Sequence, residues 1–386
     1  MQPKPWPTGT LAVTALGAVS PLGWDVASSC AAARAGLLRI RPLDDYIGRH
    51  PGTGDAEPVC GHTVASCTEG FTGDGRLLRL GVAALSDLRR ANVGEDWRQT
   101  GLVLNLPSGL HLRAAAGTGA HADLHGETEG KPTPDAFAAM RQQQEQVFLS
   151  RLTRLAGVPV PTGNCRVIRG DQAGFLEALT IAAQLLRQHG VSRCIVGGID
   201  SYVDRPVVEA LDELRLLKTP SRSQGLIPGE CAVFLLVEPV ALARRRGARI
   251  DCELGMNALR HEPQDRFAAQ RWKGEALAEA CAEVWQALPP AQVPGRLIGN
   301  LTGDERRAYD WGCALSRLMS RGLPSELPAW HTGISFGEIG AATAPMAIAM
   351  AARAFARGYG GTDSMLVWMS SDSGERGALH VLAPSS

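Results

Sequence analysis

Apolar residues in this chain fall into short unbroken runs, separated by stretches where they recur every three to four positions. Runs such as LAVTALGAV (11–19), TGLVLNL (100–106) and CAVFLLVEP (231–239) predict strands buried on both faces, as in a sheet covered by helices. Helical spacing predicts amphipathic helices over 24–36, 76–92, 135–156 and 205–217. The stretch 167–200, VIRGDQAGFLEALTIAAQLLRQHGVSRCIVGGID, condenses the pattern. It reads as a strand, a turn at Gly170-Asp171, a helix carrying Phe175, Leu176, Leu179, Ala183, Leu185 and Leu186 at helical spacing, and a second strand ending in Gly197-Gly198. From about residue 250 the alternation begins again. It predicts a strand at 249–256, a helix at 267–288, a strand at 295–301 and a helix at 305–320, then a Gly/Ala-rich helix at 340–358 and strands at 364–370 and 377–383. Residues 41–70 and 107–135 lack regular apolar spacing and predict irregular structure. The alternation in both halves predicts an α/β architecture of two similar units, 1–248 with an excursion around 107–160, and 249–386.

Composition narrows the function. Of the 386 residues, 45% are hydrophobic and 20% charged, and 39 basic residues balance 39 acidic ones. Zero net charge gives no electrostatic case for nucleic acid or an anionic membrane as partner. The nine cysteines are scattered singly with no framework, which predicts reduced thiols. No stretch approaches a charge-free 18-mer, so a soluble cytoplasmic protein is expected.

The position after a strand–turn and at the start of a helix is where a nucleophile gains from the helix dipole and unpaired N–H groups. Here it holds Gln172, an amide that cannot attack a carbonyl. Cys165, seven residues earlier, is a candidate displaced nucleophile, and His331 a candidate substitute base. Against them stand the plainer readings of a strand-start cysteine and a solvated loop histidine. His121 and His125, with Asp123 and Glu127, have a metal-like spacing, but it converges two imidazoles only on a helix. Cys60, His62 and Cys67 form a loose cluster. No metal or cofactor is expected from either. Asp304, Glu305 and Asp310 are an acid/base candidate. Arg244, Arg245, Arg246 and Arg249 could meet an acidic partner or simply end a helix.

Three stretches carry a resemblance: VTALGAVSPLG (13–23) followed by AAARAGLLRI; CIVGGIDSYVDRPVVEALDELRLL (194–217); and QGLIPGECAVFLLVEPVALARRRGA (224–248). Together, in this order and spacing, the chain resembles the β-ketoacyl-ACP synthases of the thiolase superfamily. The resemblance implies an α/β thiolase fold, a five-layered αβαβα sandwich of two pseudo-equivalent halves, and pairing edge to edge through the N-terminal halves as a homodimer or heterodimer. It also implies a catalytic Cys at Gln172, a His at each of Thr302 and Gly337, and a Lys at Thr332; none of the four is present. The chain has only four lysines, none of them near. It is therefore expected to be a non-catalytic scaffold, adaptor or partner subunit. It is similar to degenerate thiolase-like accessory factors of type VI secretion effectors, with an effector, a chaperone or an acyl carrier protein as partner. Alternatives are a chain-length-factor-like subunit, which also has Gln at this turn, and a residual acyltransferase or thioester hydrolase.

Overall fold

The computed structural model describes residues 10–92, 96–118 and 134–385. Its strands are β1 (Leu11–Val19), β2 (Arg41–Arg49), β3 (Ala56–Gly61), β4 (Thr100–Leu106), β5 (Cys165–Arg169) and β6 (Arg193–Ser201). They continue with β7 (Glu230–Pro239), β8 (Cys252–His261), β9 (Arg296–Gly299), β10 (Ala329–His331), β11 (Ser364–Ser370) and β12 (Glu375–Leu382). All but β2 and β3 join one ten-stranded sheet in the order β10-β9-β11-β12-β8-β1-β7-β6-β4-β5.

The β1–β8 junction divides that sheet into two matching sets, β1-β7-β6-β4-β5 and β8-β12-β11-β9-β10. Each set has two antiparallel pairings followed by two parallel ones. Parallel neighbours need crossover helices, and these form the layers. Helices Gly174–Leu185 and Thr343–Arg357 fill the middle, packing Phe175, Leu179, Met346 and Ile348 against both sets of strands. Helices Gly73–Arg90 and Pro134–Ala156 cover one outer face through Leu80, Leu85 and Leu152. Helices Glu275–Gln286 and Glu305–Ser320 cover the other through Leu277, Trp311 and Leu318. Five layers result, αβαβα.

Gly198 matters for the layering. A Cβ there would lie 2.0 Å from the Ala341 carbonyl oxygen, so only glycine lets the turn before the second central helix lie flat on β6.

Several sequence expectations are corrected. Residues 41–70 are not irregular: β2 and β3 form a hairpin that packs Leu43 and Val59 beside Val208 and Leu211. The loop expected over 107–135 includes a helix, Leu110–Thr118; residues 119–133, with His121 and His125, lie outside the described residues. The helix expected over 267–288 begins only at Glu275, because Gly274 adopts φ +67 against the Asp310 carbonyl. The strand expected over 295–301 spans only Arg296–Gly299, and the short β10 had no alternating signal. Among the described residues no helix is long and apolar enough to cross a membrane.

Candidate functional site

The Gly170–Gln172 turn follows β5 and leads into the first central helix. Asp171 takes a left-handed φ of 45, unusual for a residue with a Cβ, and the surroundings hold it there. Asn105, on β4, reads the turn with both ends of its amide: Oδ1 accepts from Gly170 N at 3.1 Å, and Nδ2 donates to the Asp171 carbonyl at 2.7 Å. The Asp171 carboxylate accepts from Ser108 N at 2.8 Å and Ser108 Oγ at 2.7 Å. From the opposite half, Ser371 Oγ accepts from Ala173 N at 2.8 Å. Bonds from β4, from Ser108 and from the opposite half thus hold the left-handed turn in place.

Gln172 sits on it with no exposure to solvent. Its Nε2 donates to Glu338 Oε1 at 3.0 Å and approaches the Tyr202 hydroxyl at 3.5 Å. Its Oε1 has no hydrogen-bond partner among the described residues. Glu338 follows Gly337 at the start of the turn before the second central helix, so the beginnings of the two central helices face each other through this amide–carboxylate bond.

Behind Glu338 lies a buried ion network. Glu338 Oε1 also accepts from Gly340 N at 3.0 Å, and its other oxygen pairs with Arg307. Arg307 donates onward to Asn300 O at 3.2 Å and Asp372 Oδ1 at 3.1 Å. Asp372 takes two further donors, Arg266 at 3.0 Å and His111 Nε2 at 3.0 Å. Asp304 closes the ring: it caps its helix by accepting from Arg307 N at 2.8 Å and pairs with Arg266. A carboxylate or guanidinium taken this far from water is tolerable only when paired, and each one here is. Burial alone would raise the Asp372 carboxyl, but Arg266, Arg307 and His111 hold it well below the usual carboxylate range. Asp200 and Asp171, on the other side of Gln172, are pushed up, mainly by burial.

A cavity of about 190 Å³ opens beside the turn, lined by His111, Asp171, Asp200, Tyr202 and Asp204 among others. Gln172 is not part of its lining. Phe336, next to Gly337, is fully buried in the central core.

The other predicted positions fall as follows. Gly337 takes φ 74 in a space where a Cβ would meet the Ile227 carbonyl at 2.7 Å and the His62 ring at 2.9 Å. Thr302 packs its methyl beside Gly333, and its hydroxyl has no hydrogen-bond partner among the described residues. Cys165 begins β5, at the far end of that strand from Gln172; its thiol donates to Pro161 O, and burial pushes it up to about 11. His331 is not a solvated loop residue: it ends β10, half-buried, its ring edge-on to Trp368 at 6.1 Å, and burial lowers its pKa. Neither Cys165 nor His331 joins Gln172.

Asp304, Glu305 and Asp310 do not converge. Glu305 pairs at the surface with Arg271, whereas Asp310 binds buried Arg376 at 2.8 Å. His62 is buried and driven down to about 4 by that burial. The described residues hold no group of three or more side chains placed to bind a metal. Arg244 and Arg246 pair with Glu253 and Glu238. The residues missed in the sequence are Glu338, Arg307, Arg266 and Asp372. One signal for Glu338 was available, as a single charge inside an otherwise uncharged Gly/Ala-rich stretch.

No family model matches the chain. A segment of 156 residues is 29% identical to the oxytetracycline polyketide "putative beta-ketoacyl synthase 1" of Streptomyces rimosus, spanning 37% of this chain and 36% of that protein. The chain thus matches only about a third of that relative's length. Solved structures match over nearly the whole chain. One is a type II polyketide acyl-carrier protein in complex with its ketosynthase bound to the hexaketide, with TM-score 0.72, 14% identity and 100% of both chains covered. Another is the ishigamide ketosynthase/chain length factor, with TM-score 0.71, 17% identity and 97% and 99% of the two chains covered. A third is a β-ketoacyl synthase from Burkholderia phymatum STM815, with TM-score 0.70, 15% identity and 97% and 100% covered. The chain has the mixed α/β ketosynthase (thiolase) fold.

Proposed function

We propose that this ketosynthase-fold chain is a non-catalytic subunit that acts by binding, as the partner of a related chain. The observation that carries the reading is the buried amide of Gln172, bonded to Glu338 and backed by paired ions where an acyl-transferring site would need a thiolate and proton carriers. An amide forms no acyl intermediate. The charged groups of the network are already paired with one another, which leaves no free cation among its described residues for a substrate carbonyl to bind.

Pairing follows from the family resemblance and from the position of β5 at one end of the sheet. A strand with one described neighbour presents a ladder of backbone groups that a second, similar edge can complete. The partner is a second copy or a related subunit bearing the missing cysteine. The likeness to a ketosynthase/chain length factor favours a synthase-type partner over a secretion effector or its chaperone. The two halves are taken as 1–248 and 249–386. Residual acyl transfer is disfavoured by the high thiol pKa of Cys165 and by its distance along β5 from the turn.

The test is intact-mass spectrometry after incubation with acetyl- and malonyl-thioesters at neutral pH. The unmodified mass is expected throughout. An adduct that grows with time and disappears in Cys165→Ala would overturn the non-catalytic reading.

A further inference from the structure

Away from the Gln172 network, a groove runs between helix Val26–Arg34, the C-terminal end of helix Thr343–Arg357 and the segment around β10. It consists of an open hollow of about 740 Å³ that shares Cys30, Arg34 and Tyr359 with a smaller cavity of about 220 Å³. Aromatic rings and a guanidinium line it: Trp330 is 6.0 Å from Tyr359, and Arg34 lies 4.3 Å over the Tyr359 ring. Arg296, outside the lining and bonded to Gly360 O at 3.1 Å, lies 4.2 Å over the Trp330 ring. Arg353 and Arg357 line the larger hollow. No carboxylate among the described residues lines either space. Among the described residues none of Arg34, Arg296, Arg353 and Arg357 has a carboxylate within ion-pairing distance, although the chain as a whole balances its charges. The smaller cavity adds an apolar floor of Ala33, Trp330 and Met350, with Ile334 65% exposed at its rim.

We propose that this groove docks an acidic amphipathic helical segment of a protein partner, one bulky apolar side chain entering the smaller cavity and carboxylates meeting the arginines. Stacking on the Tyr359 face holds the exposed Arg34 guanidinium flat, and a planar fork held in this way can grip a carboxylate with two hydrogen bonds. Arg34 and Arg357, exposed and without a carboxylate at ion-pairing distance, attract an anion, with Arg353, which lies between them and Asp251, adding to the field. The apolar floor selects a peptide over free phosphate, which would leave Ile334 and Trp330 uncovered. The groove shares no residue with the Gln172 network, so its failure would leave the non-catalytic reading standing.

The probe is a fluorescein-labelled amphipathic peptide of about five helical turns, with glutamates on one face and leucines plus one tryptophan on the other. Binding is followed by anisotropy on the full chain. The glutamate peptide is expected to bind at least about tenfold more tightly than the same peptide with lysines, and to weaken about tenfold in Arg34→Glu/Arg357→Glu. It should also weaken when salt is raised to about 0.5 M. Ile334→Asp is expected to weaken it several-fold. Both variants change exposed residues, and unaltered thermal melts establish that they fold. Equal affinity for the two peptides, absence of binding, or equal binding by the arginine variant would overturn the proposal. Displacement by millimolar tripolyphosphate that leaves Ile334→Asp without effect would also overturn it and make the groove a small-anion site.

Discussion

Asp171 and Asp200, from the N-terminal half, and Asp372, from the C-terminal half, are buried around one site, yet their carboxyls move in opposite directions. Asp171 and Asp200 are bonded chiefly by hydroxyl and backbone N–H groups of Ser108, Ser201 and Ala341, with no guanidinium in the set, and burial pushes both up. Asp372 is equally buried but gripped by Arg266, Arg307 and His111, and it is held down. The halves share a strand order and differ in what fills the space where they meet. The N-terminal side keeps the neutral cradle of an elbow, while the C-terminal side supplies paired ions that occupy its front. Two sets of strands with the same order thus frame one site with opposite electrostatics on its two sides.

Three perturbations would break or sharpen this contrast. The largest effect is expected from Glu338→Ala, which leaves Arg307 with one buried partner fewer and removes the contact to Gln172. The cost is about 3–5 kcal/mol, read as a lower urea midpoint, and a loss of less than about 1 kcal/mol would mean that the network is not structural. Gln172→Ala comes next, at about 1–3 kcal/mol, because it removes one donor from Glu338 and leaves a small void. If it proved as costly as Glu338→Ala, the elbow side rather than the ion side would dominate.

The smallest effect is a pair of opposed pH trends. Asp372 has a lowered folded pKa, so its contribution is present above the usual carboxylate value of about 3.9 and is lost as pH falls through the folded value. The deficit of Asp372→Asn against the parent protein should shrink at the acid end. Asp200 has a raised folded pKa, so its contribution is present below the usual value and is lost as pH rises through the folded one. The deficit of Asp200→Asn should therefore be larger at pH 4 than at pH 8, by about 1.4 kcal/mol for each tenfold difference in proton affinity between folded and unfolded chain. Urea midpoints from pH 3.5 to 8 would show it, and trends of the same sign in both variants would erase the distinction between the halves.

What could be read from sequence follows from how local each signal is. β4, β7 and β11 were visible because strands covered on both faces are written as unbroken apolar runs. The turn was visible because Gly170 and Asp171 are the residue types that bend a chain. The hairpin β2–β3 was hidden because it buries little beyond Leu43 and Val59 and otherwise reads polar. The ion network was hidden for a different reason. Arg306 and Arg307 are identical neighbours on one helix, and only the fold decides that Arg307 faces inward to Glu338 and Asp372. Asp372 itself sits in a Ser/Gly-rich turn, where a carboxylate ordinarily reads as surface. The family resemblance singled out Gln172, Thr302 and Gly337; only three-dimensional packing identifies what surrounds the first.

The pairing of β1 has a consequence for how the protein is made. Leu11–Val19 finds its antiparallel neighbour at Ala232–Pro239 and then touches β8 from Cys252 onward. β1 must therefore wait for about two hundred further residues to be made before its neighbour exists. At about 5–20 residues per second that delay is on the order of ten to fifty seconds. Throughout it a nine-residue run, buried in the finished sheet, lacks the strands it pairs with. Synthesis rate and chaperone cover during that interval, rather than final stability, are then expected to govern how much intact protein a cell obtains.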